Sequence, residues 1–575
     1  MSSHLKKLVP EVGIANKCKK RKAYYQLTAK QRGLCFVTQK LTNWLFKQGS
    51  RSNKNIHDFG QFNSKNTPES SKPLSRSLKD NLTILKQRMG HSTDFILRSW
   101  NDEQGDAALA ASYIDGLIDQ QLLTKLLEDL TEAIRNGSLP NQSAETWLVD
   151  YAPIGNITPL NDEEELVNAI LDGQVTVIVE GSSKAFATSI SGGAKRAVEE
   201  PTSQTVVRGP KEGFTEDIST NIALLRRRIK STDLSIDSRS IGEYTQTKIS
   251  VAYIKGIADP NVVREISKRL DSIKTDSILE SGYIEEYIQD GVWSRFPTML
   301  NTERPDAVAG GLLEGLVAIF VDGTPFVLVA PVTFFRFIAS SEDYYQRYDL
   351  ATFLRFIRTA SFFLALLLPS IFIATTTFHQ EMLPTTLLIT LAAQRENTPL
   401  PALLEAIVME LTFEVIREAG IRMPRAIGPA ISIVGALVLG QAAVQAGLVS
   451  AAMVIVVSFT AICNFVLPSI NMAAAIRLLR FALMLLAGTF GLYGVLAGLI
   501  PILVRLVSLD SFGVPYMMPL APFNKSNMKD LFVRVPWWKM KKRPVMIGDS
   551  NLMRQSTRQE SFAEQAGEHD RDPMA

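Results

Sequence analysis

Within PLPALLEAIVMELTFEVIREAG, residues 399–420, Glu410, Glu414 and Glu418 recur every four positions, while Leu404, Val408, Leu411 and Val415 recur at helical spacing on another face. A row of carboxylates lying among membrane helices is costly unless it meets water, a cation or a base. Two chemistries follow. Copies from several subunits would bring Glu410, Glu414 and Glu418 around one aqueous path, an acidic ring that favours cations. Alternatively Arg417 and Arg422 neutralise the row locally and the segment is an interfacial amphipathic helix. A second pattern is Gly488, Gly491, Gly494 and Gly498, three or four apart, which marks a helix face that another backbone can approach closely.

Covalent chemistry has little to work with. No GxxxxGK[ST], HExxH, GxSxG or strand-linked GxGxxG occurs, and the five histidines (4, 57, 91, 379, 569) are scattered. Glu314, Asp322 and Arg304 are read as interfacial salt-bridge partners, as are the acids of ILESGYIEEYI (278–288). Cys18, Cys35 and Cys463 form no CxxC pair, so neither a disulfide framework nor a zinc site is expected. No catalytic residue, metal or cofactor is anticipated, and the chain is not expected to be an enzyme.

The elements that carry these residues fall into distinct regions. At 575 residues the chain exceeds one compact core, and a mean hydropathy of +0.07 averages a polar first part with a strongly apolar later part. Net charge is only +3, which gives no global field for nucleic acid, although the first eighty residues hold 17 Lys/Arg against 4 Asp/Glu. Residues 1–77 read as a basic, disordered arm without a secretory h-region, so the N-terminus is expected to stay cytoplasmic.

From Asn81 the pattern becomes amphipathic helices and short apolar strands, an α+β or α/β region divided as 78–200 and 201–310. ASYIDGLIDQQLLTKLLEDL (111–130) and VAYIKGIADPNVVREISKRL (251–270) share a strand with Tyr113 or Tyr253, a turn at Gly116 or Gly256, and Asp119 or Asp259 before a helix. Two related βα units are expected. VTVIVEGSSKAFATSI (175–190) reads as a hairpin about Gly181 and Ser182. A helix starting near Thr215, Glu216 and Asp217 ends on Arg226, Arg227 and Arg228, a charge order that complements its dipole and suits a solvated helix.

Residues 311–508 read as an all-α membrane bundle of four to six spans, and 509–575 as a polar tail. The clear spans are Phe353–Phe378, Ala426–Ala446, Leu448–Pro468 and Phe481–Val504, whereas Ala318–Phe337 is ambiguous because Asp322, Gly323 and Pro325 interrupt it. Leu383–Ala393 is too short to cross. Basic pairs flank spans on both sides, so positive-inside cannot satisfy every group, and both termini are assigned to the cytoplasm.

Several long words in fixed order, among them VVRGPKEGFTED (206–217), NIALLRRRIK (221–230), VAYIKGIADP (251–260), NTERPD (301–306), VDGTPF (321–326) and SIVGALVLGQAAVQAGLVS (432–450), resemble the spore germinant receptor A-subunit family over roughly Asn81 to Pro544. The resemblance implies an integral protein of the spore inner membrane that acts with a transporter-like B subunit and a lipoprotein C subunit in nutrient sensing. It also implies a homo-oligomer of A subunits, a pentamer, that conducts ions. Nutrient recognition in that family rests chiefly with the B subunit, so no nutrient-binding residue carries over. The competing readings are a stand-alone secondary transporter, which would show repeats within the membrane part, and a structural anchor without a pore.

Overall fold

The computed structural model describes residues 72–101, 107–135, 148, 157–190, 200–201, 204–396, 398–423, 438–524, 527–543 and 553–554. The basic arm before Lys72 lies outside them, as does most of the expected span 426–446.

Two α+β subdomains come first. In the first, α1 (Leu78–Met89) precedes strands β1 (Phe95–Asn101) and β2 (Ala107–Ile114), then α2 (Gln120–Arg135), β3 (Ile157–Leu160), α3 (Glu163–Leu171), β4 (Val175–Val179) and β5 (Ala185–Thr188). The second repeats the series with α4 (Ile218–Arg228), β6 (Leu234–Ile241), β7 (Thr247–Ile254), α5 (Pro260–Asp271), an added α6 (Ser281–Ile288), β8 (Leu300–Thr302), α7 (Pro305–Leu313), β9 (Val317–Val321) and β10 (Val327–Ala330). The sheets have matching orders, β1-β2-β4-β5-β3 and β6-β7-β9-β10-β8, with every pairing antiparallel.

The likeness extends to single hydrogen bonds. Asn81 accepts from Ser75 N at 3.0 Å and donates to Ser75 O at 2.7 Å, and Asn221 does the same with Thr215 N at 2.7 Å and Thr215 O at 2.6 Å. Each closes the loop that enters the first helix of its subdomain. Glu180, after β4, accepts from Leu78 N at 2.7 Å, and Asp322, after β9, accepts from Ile218 N at 3.2 Å, so a carboxylate meets the open N-terminus of each first helix. Gly116 and Gly256, at φ 82° and 76°, make the turns from β2 and β7 into helices capped by Asp119 and Asp259.

The strands of the β4-β5 and β9-β10 hairpins are buried along their whole length, which explains a misreading. A strand covered on both faces reads as a continuous apolar run. The boundary at residue 311 is therefore corrected: the apolar stretch from Ala318 begins with β9 and β10, and Asp322-Gly323 is their turn.

The solvated-helix reading is corrected at Arg226, whereas Arg227 beside it is exposed. Arg226 is 2% exposed and reaches across to the first subdomain, where Nε and Nη2 donate to Asp94 at 2.7 and 2.9 Å and Nη2 donates to Ser92 Oγ at 2.7 Å. Beside it Thr93 N donates to Ile236 O at 2.9 Å, a main-chain bond between the subdomains. Helix α4 packs on its sheet through Ile218, Ile222 and Leu225, so Arg226 of its last turn points at the neighbour while Arg227 faces solvent.

The remainder is helical: α8 (Tyr348–Thr377), α9 (Thr385–Glu396), α10 (Ala402–Arg422), α11 (Ala451–Phe465) and α12 (Ile470–Ser508). Among the described residues two of these, α8 and α12, are long and apolar enough to cross a membrane. Helix α12 is folded back on itself. Gly491 has φ 61° and ψ −143°, and a methyl placed on Gly498 would lie 2.6 Å from Leu483 Cδ2. Fifteen residues of straight helix would hold those positions about 22 Å apart. Residues 470–490 and 492–508 are thus two arms of a hairpin.

Nor is the segment after 508 a free tail along its described length. Strands β11 (Asp510–Ser511) and β12 (Val514–Pro515) form a small hairpin, and Phe512 and Val514 join the core of the second subdomain. Tyr516 is fully buried and donates to Pro297 O at 2.8 Å, while Asp530 binds Arg355 of α8 at 2.8 Å.

Candidate functional site

Two places concentrate polar groups, one inside the apolar half and one where it meets the second subdomain. The first lies between α10 and α12. Consecutive positions four apart on a helix drift by about 40°, so the glutamates spiral from core to surface: their side chains are 1%, 21% and 55% exposed at Glu410, Glu414 and Glu418. Arg480 binds Glu410 at 2.9 Å, Arg477 binds Glu414 at 3.1 Å, Arg417 also pairs with Glu414, and Arg422 binds Glu418 at 2.7 Å. The three acids therefore form no unpaired acidic face in the single chain. A fourth acid that the four-residue row does not mark, Glu405, is fully buried and accepts from the hydroxyl of Ser450, the N-cap of α11, at 2.5 Å.

This layer is not fully satisfied. Glu405 Oε2, Glu410 Oε1 and Arg480 Nε and Nη1 are buried without a hydrogen-bond partner, an arrangement that is costly in an apolar interior. Arg477 and Arg480 are the residues that reading α10 by itself could not supply. Their spacing of three matched to the four-residue spacing of Glu410 and Glu414 is the signal that pairs the helices.

The four glycines do not line one straight helix, because Gly491 is the bend. Gly494 and Gly498 let the second arm close on Leu486 and Leu483 of the first, Gly488 receives Leu403 of α10, and Gly491 faces Phe378 and His379 beyond the end of α8. Close approach is their common use, against three different neighbours.

The second place is a cavity of about 670 Å³ where α7, the turns at Phe334–Phe337 and Ser341–Tyr344, the end of α11 and the C-terminal segment meet. Arg304 grips Asp306 through two bonds, Nε to Oδ1 at 3.0 Å and Nη2 to Oδ2 at 2.6 Å, and Tyr345 donates its hydroxyl to the same carboxylate at 2.6 Å. Glu314 is shared by Arg336 at 2.6 Å and Arg554 at 3.0 Å. Burial by itself would raise both carboxyls. The Arg304 and Tyr345 hydrogen bonds hold Asp306 below the ordinary range, and Arg336 and Arg554 do so for Glu314. The expected salt-bridge partners Arg304 and Glu314 thus meet in this cavity, whereas Asp322 serves the helix cap described above. Arg554 lies over the Trp537 ring at 5.5 Å, and Trp537 packs on Tyr344 with ring centroids 5.6 Å apart, so the chain after α12 forms one wall. Among the described residues no group of His, Cys, Asp or Glu is arranged to hold a metal ion.

Comparison with known proteins gives a consistent picture. Residues 83–546 match the model of the family described as Bacillus/Clostridium GerA spore germination protein. The chain is 47% identical over 488 residues to spore germination protein KA of Bacillus subtilis, covering 84% of this chain and 89% of that one. It is 42% identical over 494 residues to the uncharacterized membrane protein YfkQ of the same organism, covering 85% and 95%. The crystal structure of the N-terminal domain of the A subunit of the Bacillus megaterium spore germinant receptor GerK3 is 40% identical, covers 46% of this chain and 98% of that chain, and superimposes with a TM-score of 0.37.

Proposed function

Because the chain belongs to the Bacillus/Clostridium GerA spore germination protein family, we propose that it is a non-enzymatic membrane subunit of a nutrient germinant receptor, converting nutrient sensing into ion release during spore germination. Family membership carries this reading, and the helical half supports its membrane role. The helices run between two levels. Helix α8 starts where Arg355 meets Asp343 and Asp530 and ends beside Gly491; α10 starts beside Gly488 and runs past Arg477, which its Glu414 meets; α11 starts at Glu405 and ends at the cavity. The two arms of α12 add an outward and a return pass. The described helices thus make five passes in the proposed topology, and both ends of the helical half lie on the side of the soluble subdomains.

In this reading the subdomains face the spore core, the passes lie in the inner membrane, and the partners are a transporter-like B subunit, a lipoprotein C subunit and further copies of this chain in a pentamer. A cation path along α10 requires the Arg477 and Arg480 ion pairs to part first, since they occupy Glu414 and Glu410. The test uses spores in which this chain is the sole A subunit, supplied with its own B and C partners. Nutrient mixtures should trigger release of monovalent cations, and deletion of the chain should abolish it. Release that persists undiminished after deletion would refute the assignment.

A further inference from the structure

Among the most exposed apolar side chains of the second subdomain, two stand together on one short turn. Ser294 N donates to Gly291 O at 2.6 Å, which closes a turn whose corner residues are Val292, 74% exposed, and Trp293, 87% exposed. Turn corners are ordinarily Gly, Pro, Asn, Asp or Ser. Slack in the chain does not account for the apolar pair, because both sides of the turn are pinned. Before it, Asp290 accepts from Phe512 N at 2.5 Å and binds Arg269 at 2.9 Å; after it, Phe296 is buried with its ring 6.5 Å from that of Phe334. The turn therefore holds Val292 and Trp293 out at a fixed place, and that place is the end of α12. A methyl on Gly291 would lie 2.7 Å from Leu509 Cδ1 and 3.1 Å from Arg505 Nη2. Residues 492–504 carry no charge, so Arg505 marks where the apolar second arm ends, and around it Leu503, Val504 and Val507 are exposed. An outward apolar face that closes on an arginine suits a helix leaving hydrocarbon for the headgroup layer, and that layer also favours Trp, whose ring is apolar and whose N–H is polar.

We infer that the Val292-Trp293 turn is a membrane-surface foot of the second subdomain, seated in the headgroup layer of the same bilayer that the α12 hairpin crosses. The two apolar side chains enter the boundary between headgroups and acyl chains, and the exposed guanidiniums of Arg295 and Arg505 supply cations for lipid phosphate. Through Asp290 and Phe296, which tie the turn to the β11-β12 hairpin and to the core beneath it, the foot fixes the height of the second subdomain over the bilayer. The foot presupposes the bilayer around α12 proposed above, and the two are tested apart.

The experiment uses the full chain with Cys18, Cys35 and Cys463 replaced by Ser, reconstituted in vesicles of phosphatidylcholine and phosphatidylglycerol. Single cysteines at two exposed positions, Val292→Cys in the turn and Leu485→Cys in the first arm of α12, carry an environment-sensitive fluorophore. Lipids bear a nitroxide quencher in the headgroup, near the top of the acyl chain or near its end. Val292→Cys should be quenched about twofold by the headgroup and shallow labels and little by the deep one, whereas Leu485→Cys should respond to the acyl-chain labels. Adding Trp293→Asp to Val292→Cys should abolish most of the quenching in the turn and leave a separate Leu485→Cys, Trp293→Asp chain unchanged. A Val292→Cys probe unaffected by every lipid label beside a quenched Leu485→Cys would overturn the foot and leave the membrane reading standing; no quenching at either position would overturn both. A Val292→Cys probe untouched by lipid labels yet shielded from aqueous iodide would mark a second copy of this chain as the cover, and quenching that survives Trp293→Asp would remove the indole from the contact; either result overturns the proposal.

Discussion

Replacing Arg226 by Met tests the joint between the two soluble subdomains, because it removes a guanidinium and keeps a comparable apolar stem. Asp94, 6% exposed at its side chain, would then keep the Ser92 hydroxyl, at 2.5 Å, but lose both guanidinium bonds. Removing one partner of a buried ion pair costs about 3–5 kcal/mol, mostly because the other charge stays buried. In a fragment of this size each kcal/mol moves the melting temperature by about 2–4 °C, so Arg226→Met should lower it by roughly 10 °C. The assay is thermal unfolding of a fragment spanning residues 72–339, followed by circular dichroism. A double variant, Asp94→Leu with Arg226→Met, removes both charges and should recover at least half of the loss. A shift under about 2 °C for the single variant, or losses that simply add in the double, would refute the claim that this pair joins the subdomains.

Three further outcomes are expected. Burial, reinforced by nearby Glu280, pushes the Glu285 carboxyl up to about 7 despite the Asn471 hydrogen bond, so the folded chain holds that proton where the unfolded chain has lost it. Stability from this group is full below about pH 4.5 and falls as pH rises through 7; wild type should lose on the order of 2 kcal/mol relative to Glu285→Gln between pH 5 and 8, read from melts of the detergent-solubilised chain, and parallel profiles would refute it. Ser112 and Thr176 share a buried hydroxyl bond of 2.6 Å where the second subdomain has the pair Ala252 and Ala318; each single Ala replacement should cost about 1–2 kcal/mol in chemical denaturation and the double less than their sum, whereas strict additivity would contradict the pairing. Gly491→Ala places a methyl 2.7 Å from the His379 ring at a backbone angle that other residues rarely adopt, so purified protein should lose its monodisperse gel-filtration peak; unchanged elution and melting would contradict the hairpin.

The soluble half was legible where local patterns carry it. The words around Tyr113 and Tyr253 contain their own turn and cap residues, and the hairpin about Gly181 has its two apolar strands side by side in the chain. What escaped depends on partners distant in sequence. Hydropathy does not distinguish β9 and β10 from a membrane segment, because both are continuous apolar runs, and only pairing with β7 and β8 decides. Arg226 looks like a solvated helix end until Asp94, 132 positions away, is beside it. The acids of α10 were visible as a row, but their neutralisation by Arg477 and Arg480 needs the packing of α12. The fold-back at Gly491 left only glycines at helical spacing, a pattern shared with an unbroken packing face.

The membrane role is tested most directly by sidedness. In a chain with Cys18, Cys35 and Cys463 replaced by Ser, single cysteines are introduced at exposed Glu381, beyond the end of α8, and at exposed Ser508, at the end of α12. Sealed vesicles of one orientation are then treated with a membrane-impermeant maleimide before and after permeabilisation. The account predicts that one of the two positions labels at once and the other only after the bilayer is opened, with Ser508→Cys on the side of the soluble subdomains. Labelling of both positions from the same side of a sealed bilayer would contradict it.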